Sequence, residues 1–196
     1  MSIKLIVGLG NPGKEYENTR HNAGALFVSH LCDVFNTPLR QEKKFHGFYA
    51  KIMVQSRDVH LLNPTTFMNR SGLSVQAVAS YYNLTTDSIL VAHDELDMPC
   101  GTVKLKTGGG HGGHNGLRDI IRAFNGDNAF HRLRLGIDHP GSKEKVTGHV
   151  LGRLTTSESE HLADAFRETE RALDLLAKGE LQIAMNKINA YKPSAA

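Results

Sequence analysis

Apolar and polar positions alternate in a way that predicts strands and helices in turn along the chain. Ile3, Leu5, Ile6, Val7 and Leu9 form a near-continuous apolar run, the pattern of a strand covered on both faces. A polar loop from Gly10 to His21 follows. Ala23, Leu26, Phe27, Leu31, Val34 and Phe35 then recur at helical spacing, with Asn22 placed to cap the helix. Phe48, Ala50, Ile52 and Val54 alternate with Tyr49, Lys51 and Met53 at strand period, and Val59 to Leu62 returns as a second strand. Asn63-Pro64 breaks the chain, and Ser71 is placed to cap a helix carrying Leu73, Ala77, Val78 and Tyr81.

Ile89 to Ala92 reads as a short buried strand that stops at His93 and Asp94. Val103 and Leu105 alternate with Lys104 and Lys106, so both lysines share a face. A glycine-rich loop, Gly108 to Gly113, runs into a helix whose apolar side is Leu117, Ile120, Ile121 and Phe124. Leu133, Leu135 and Ile137 alternate with Arg132 and Arg134, again aligning two cations. Ser157 with Glu160 reads as a capping box for a helix using Leu162, Phe166, Leu173 and Leu176 and stopped by Gly179; a last helix carries Leu181, Met185 and Ile188. The pattern predicts a single α/β domain over residues 1–196, with a mixed, mostly parallel twisted sheet flanked by helices.

Composition narrows the class. At 196 residues one core buries roughly 70 % of the unfolded surface, so no disulfide or metal staple is required. Two cysteines, Cys32 and Cys100, are too few for a disulfide framework, and no run approaches the ~18 apolar residues of a membrane span. Met1-Ser2-Ile3-Lys4 leads straight into a strand pattern without a signal-peptide layout, so a cytoplasmic protein is expected. Charge is uneven. Residues 101–153 carry nine Lys/Arg and four Asp/Glu, 9 − 4 = +5, whereas the rest carry fourteen and sixteen, 14 − 16 = −2. A basic middle on a near-neutral body fits either a localised polyanion site or a solvated face.

Three places can hold chemistry. Gly8-Leu9-Gly10-Asn11-Pro12-Gly13 fits the dinucleotide fingerprint, but Lys14 to Asn18 has no apolar helical face and no acidic residue closes a second strand about 20 residues on. What remains is a tight turn at the carboxyl end of a strand, where open α/β sheets keep their ligands. Arg20-His21-Asn22 places a histidine just ahead of a helix, where the dipole favours the neutral ring that a general base requires. Asp94, just past a buried strand, reaches the same rim of the sheet; it serves either to orient His21 or as part of a solvated acidic turn with Glu95 and Asp97. In Gly108 to Gly116 the glycines let the backbone approach a ligand and expose its N–H groups, with Asn115 as cap or donor. His111 and His114 with His93 and Asp94 are an alternative zinc set, without an H-E-x-x-H pairing.

These segments closely resemble bacterial peptidyl-tRNA hydrolases. The resemblance is carried by Gly8 to Gly13, Tyr16, Thr19-Arg20-His21-Asn22-Ala23-Gly24, Pro64-Thr65-Thr66-Phe67-Met68-Asn69-Arg70-Ser71-Gly72, His93 to Asp97, Gly108 to Leu117, and Arg132 to Ile137 followed by His139-Pro140-Gly141. Leu26 stands where family members often carry an aromatic. The resemblance implies hydrolysis of the ester between a peptide and the 3′ ribose of tRNA, releasing both, with no metal or cofactor and no membrane, by a monomer. It implies His21 as base, Asp94 as its orienting partner, and Asn11 as the group that recognises the acylated amino group. Tyr16, Phe67, Asn69 and Asn115 would contact the 3′ end and peptide, with Asn69 the first choice as oxyanion donor, and Lys106 and Arg134 would clamp the 5′-phosphate. Two rivals stay open, a non-catalytic RNA-binding module on the same fold and a zinc-dependent hydrolase.

Overall fold

A computed structural model describes residues 1–194. Seven strands form one sheet: β1 (Leu5–Gly8), β2 (Arg40–Glu42), β3 (Gly47–Val54), β4 (Arg57–Pro64), β5 (Ile89–Glu95), β6 (Val103–Thr107) and β7 (His131–Gly136), in the order β2-β3-β4-β1-β5-β7-β6. The centre, β4-β1-β5-β7, is parallel, and β2, β3 and β6 attach antiparallel at the two sides. This is the expected α/β class, with the parallel character held in the middle, where both faces are covered.

Among the described residues seven α-helices cover the faces: α1 (Ala23–Val34), α2 (Ser71–Tyr81), α3 (Asn115–Ala123), α4 (Val146–Val150), α5 (Thr156–Arg171), α6 (Leu173–Lys178) and α7 (Leu181–Ala190). Ile6, Leu90, Leu133 and Leu135 pack against Phe27, Leu31, Phe166, Leu176 and Ile188 on one side. Leu5, Val7, Leu62 and Val91 pack against Val75, Val78, Leu117 and Ile120 on the other. None of the described helices is long and apolar enough to cross a membrane. Asn189 of α7 lies along β6: its Oδ1 accepts from Leu105 N at 2.7 Å and its Nδ2 donates to Leu105 O at 3.1 Å.

Several local expectations shift. Asn63-Pro64 does not break the chain, because β4 continues to Pro64 opposite Gly47. Strand β5 does not stop at Ala92 but carries His93, Asp94 and Glu95, paired with Arg134, Leu135 and Gly136 of β7. Phe48 alternates correctly yet is 42 % exposed. Ser71 is the first residue of α2, not its cap, with its hydroxyl donating to Met68 O. The capping box on α5 is Thr155 with Glu158, two residues earlier than Ser157 with Glu160. The single helix expected from Leu162 to Leu176 is two, meeting at Ala172. β2 and α4 are too short to leave a periodic signal.

Candidate active site

The loops after β1 and β5 open at the carboxyl ends of adjacent parallel strands, with β4 and β7 on the two flanks. A cavity of about 1030 Å³ lies there, lined by Asn11, His21, Phe67, Asn69, Asp94 and Asn115 and by the cations Lys106, Arg132 and Arg134.

Gly24 sets the position of His21. Its Cα packs directly on the Ala92 carbonyl of β5, and the next residue, Ala25, donates its N–H to Leu9 O at 3.1 Å. The first turn of α1 is therefore pinned to β1 and β5, and His21, in a 3-10 turn just ahead of it, meets Asp94 two residues beyond Ala92. His21 Nδ1 lies 2.8 Å from Asp94 Oδ2. As carboxylates only accept, Nδ1 donates, which leaves Nε2 as the ring's basic nitrogen. Asn22 does not cap α1. Its amide instead clasps the backbone of Asn11, accepting from Asn11 N at 2.9 Å and donating to Asn11 O at 3.0 Å.

The second oxygen of Asp94 has a partner that the sequence pattern offers only as part of an alternative zinc set. His114 Nε2 donates to Asp94 Oδ1 at 2.7 Å, while its Nδ1 accepts from Gly116 N and Leu117 N and so caps α3. His114 is the cap expected of Asn115, which is exposed and accepts from Arg118. The zinc set of His93, His111, His114 and Asp94 is not assembled. His93 Nδ1 donates to the Asp94 carbonyl, and His111 Nδ1 accepts from Gly113 N. The cluster that does meet among the described residues is His21, Asp94 and His114, and its facing nitrogens are engaged in hydrogen bonds to the carboxylate.

Electrostatics follow from this packing. Burial opposes the Asp94 charge, but attraction and hydrogen bonds from His21 and His114 outweigh it and hold the carboxyl well below the usual range. Burial pulls His21 down, and the adjacent Asp94 more than offsets that, so its pKa lies above the ordinary 6.5. The helix-dipole expectation of a lowered value is thus overridden by the carboxylate. His93, fully enclosed and beside His114, is pushed down to about 4 and is neutral.

Other expected residues divide. Asn11 Oδ1 accepts from Met68 N at 2.7 Å, which fixes its amide. Phe67, 59 % exposed, and exposed Asn69 line the wall, Asn69 in a 3-10 turn ahead of α2. Tyr16 is outside the cavity lining, on the turn Lys14–Tyr16, which replaces the helix that a dinucleotide fingerprint requires after Gly13. Lys106 is exposed, and Arg134 pairs through Nε with Glu95 Oε1 at 3.0 Å.

A family profile described as Peptidyl-tRNA hydrolase matches residues 5–196. A peptidyl-tRNA hydrolase of Marinobacter nauticus is 59 % identical over 192 residues, 98 % of this chain and 97 % of the relative. One of Pectobacterium carotovorum is 55 % identical over 193 residues, 98 % of this chain and 99 % of the relative. A crystal structure of peptidyl-tRNA hydrolase from Acinetobacter baumannii superimposes with a TM-score of 0.94 at 52 % identity, over 98 % of this chain and 97 % of that one.

Proposed function

The chain belongs to the peptidyl-tRNA hydrolase family, and from that premise we propose that it cleaves the ester between peptide and 3′ ribose with His21 as general base and no metal. The observation that carries this reading is the 2.8 Å bond from His21 Nδ1 to Asp94, which leaves Nε2 as the base. Nε2 takes a proton from water as the water oxygen attacks the ester carbonyl, and the imidazolium so formed is stabilised by a carboxylate that stays ionised. The tetrahedral intermediate then expels the ribose 3′ oxygen, which receives the proton back from Nε2. His114, on the other Asp94 oxygen, keeps that carboxylate from turning away.

Asn69 is the donor we assign to the developing oxyanion, worth about 3–4 kcal/mol at the transition state. Asn11 supplies discrimination. With Oδ1 held by Met68 N, the side chain offers only Nδ2 donors, which suit the carbonyl of an acylated amino group and oppose a free ammonium. Phe67 and Asn115 hold the 3′ end and first peptide residue, and Tyr16, beyond the rim, meets chain that extends outward. Lys106 and Arg134 hold the 5′-phosphate, a contact that carries no sequence information and so serves every tRNA. One chain supplies every group named, in keeping with a monomer.

Turnover of purified peptidyl-tRNA, with and without a chelator, tests this reading. Multiple turnovers unaffected by chelation are expected. Binding without turnover would point to an RNA-binding module, and loss with the chelator to a zinc hydrolase.

A further inference from the structure

An arginine in the middle of a strand ordinarily reaches water or a carboxylate. Arg132 of β7 does neither: it is 2 % exposed and has no ion-pair partner among the described residues. Its Nη1 donates to Gly108 O at 2.6 Å and Gly110 O at 3.0 Å, and its Nη2 to Gly109 O at 2.6 Å and Asn128 O at 3.3 Å. The guanidinium carbon stands 4.5 Å from the Phe130 ring centroid. Three consecutive loop carbonyls therefore converge on one buried cation.

That convergence fixes the other side of the loop. In a trans peptide the carbonyl and the next residue's N–H point in opposite directions, and no cis bond occurs among the described residues. With the oxygens of Gly108, Gly109 and Gly110 turned inward, the N–H groups of Gly109, Gly110 and His111 turn outward. Lys106 lies on the Arg132 side of the loop, since a Cβ on Gly109 would stand 2.9 Å from Lys106 Nζ and 3.0 Å from Arg132 Nη1. Gly109 has φ +108, a conformation that needs glycine, and Gly110 has open space beside it. Adjacent outward N–H groups form a concave anion seat.

We propose that Arg132 is a positioning residue that turns the glycine-rich loop so that the Gly109, Gly110 and His111 amides form a seat for a phosphate group of the tRNA acceptor stem. The proposal rests on tRNA being the substrate and adds to the side-chain clamp a backbone subsite. It also gives a reason for the run of glycines: side chains there would cover the amides.

The direct test is an amide NMR titration of the wild-type protein with an acceptor-stem duplex bearing either a 5′-phosphate or a 5′-hydroxyl. Shifts at Gly109, Gly110 and His111 with both duplexes place a backbone phosphate in the seat, and shifts with the phosphorylated duplex alone place the terminal one there. Binding with shifts elsewhere and none at these amides overturns the seat while leaving tRNA recognition intact, and no binding of either duplex overturns both. Arg132→Lys keeps the charge but lacks the fork needed to span the loop carbonyls. It should weaken stem binding about tenfold and raise KM for peptidyl-tRNA more than it changes kcat. Gly110→Ala, at a position with open space beside it, leaves Arg132 and its buried charge in place and should do the same. Wild-type affinity in both variants would refute the role of Arg132.

Discussion

Gly24 lies so close to Ala92 that a Cβ on it would stand 2.1 Å from the Ala92 carbonyl oxygen. That contact brings the start of α1 onto β5 and so sets where His21 falls relative to Asp94. Gly24→Ala should lower stability by about 1–3 kcal/mol, the usual range for overpacking, as read from the denaturant midpoint. Turnover should fall further than the stability loss accounts for, because His21 is moved off Asp94.

Replacing His21 with alanine should reduce kcat by roughly 10²–10⁴, the span expected for a general base, while the protein stays folded because Asp94 keeps His114. Near-normal turnover would remove the mechanism.

The acid limb of the pH profile should report His21. The ring must be neutral to accept a proton, and Asp94 raises its pKa above 6.5, so kcat/KM should climb with a midpoint above 6.5. Asp94→Asn leaves burial as the main influence, so that midpoint should drop below 6.5 as the rate falls. Stability runs on different signs. His21, raised in the fold, contributes fully below pH 6.5 and loses its contribution as pH rises through its folded value. Asp94, depressed in the fold, contributes above about 3.8 and loses its contribution as pH falls through its folded value. His93, pushed down to about 4, favours unfolding as pH falls from 6.5 toward 4. Thermal midpoints across pH 3 to 9, about the range of these groups, check these directions.

Lys106→Ala or Arg134→Ala should raise KM for full-length peptidyl-tRNA and reduce the salt slope of log affinity by about 0.7–0.9 for each phosphate no longer neutralised. A substrate reduced to the 3′ nucleotide should respond little. Arg134 should have the smaller effect, because Glu95 already neutralises part of its charge. Equal effects on both substrates would argue against a phosphate role.

Much of this arrangement was legible in the sequence where local pattern and tertiary burial agree. The apolar run of β1, the helical face of α1 and the alternation on β6 and β7 appear as expected. The meeting of His21 with Asp94 was inferable because Asp94 lies near the carboxyl end of β5 and His21 in the segment after β1, at one rim. Other features depend on partners distant in the chain. Thr155-x-x-Glu158 and Ser157-x-x-Glu160 match the capping pattern equally well, and the first coincides with the ion pair from Glu158 to Arg20, 138 positions away. Asn22 has the right position for a cap and is drawn instead to Asn11. In the sequence His114 groups with Asp94 only as part of an alternative zinc set, since local pattern does not show that it caps α3 and hydrogen-bonds that carboxylate. Arg132 looked like one more cation on a strand, because alternation cannot tell a solvent-facing arginine from one enclosed by glycine carbonyls.

The amide of Asn189 gives Leu105 the two bonds that a neighbouring strand would supply. At that flank, recruitment of a second polypeptide by ladder extension is blocked by one side chain. The opposite flank, β2, is three residues long and holds Arg40 and Glu42, a poor template for reasons of length and charge. Crowded chains therefore meet two differently guarded borders, and truncation of α7 would unguard the first and leave it open to self-association.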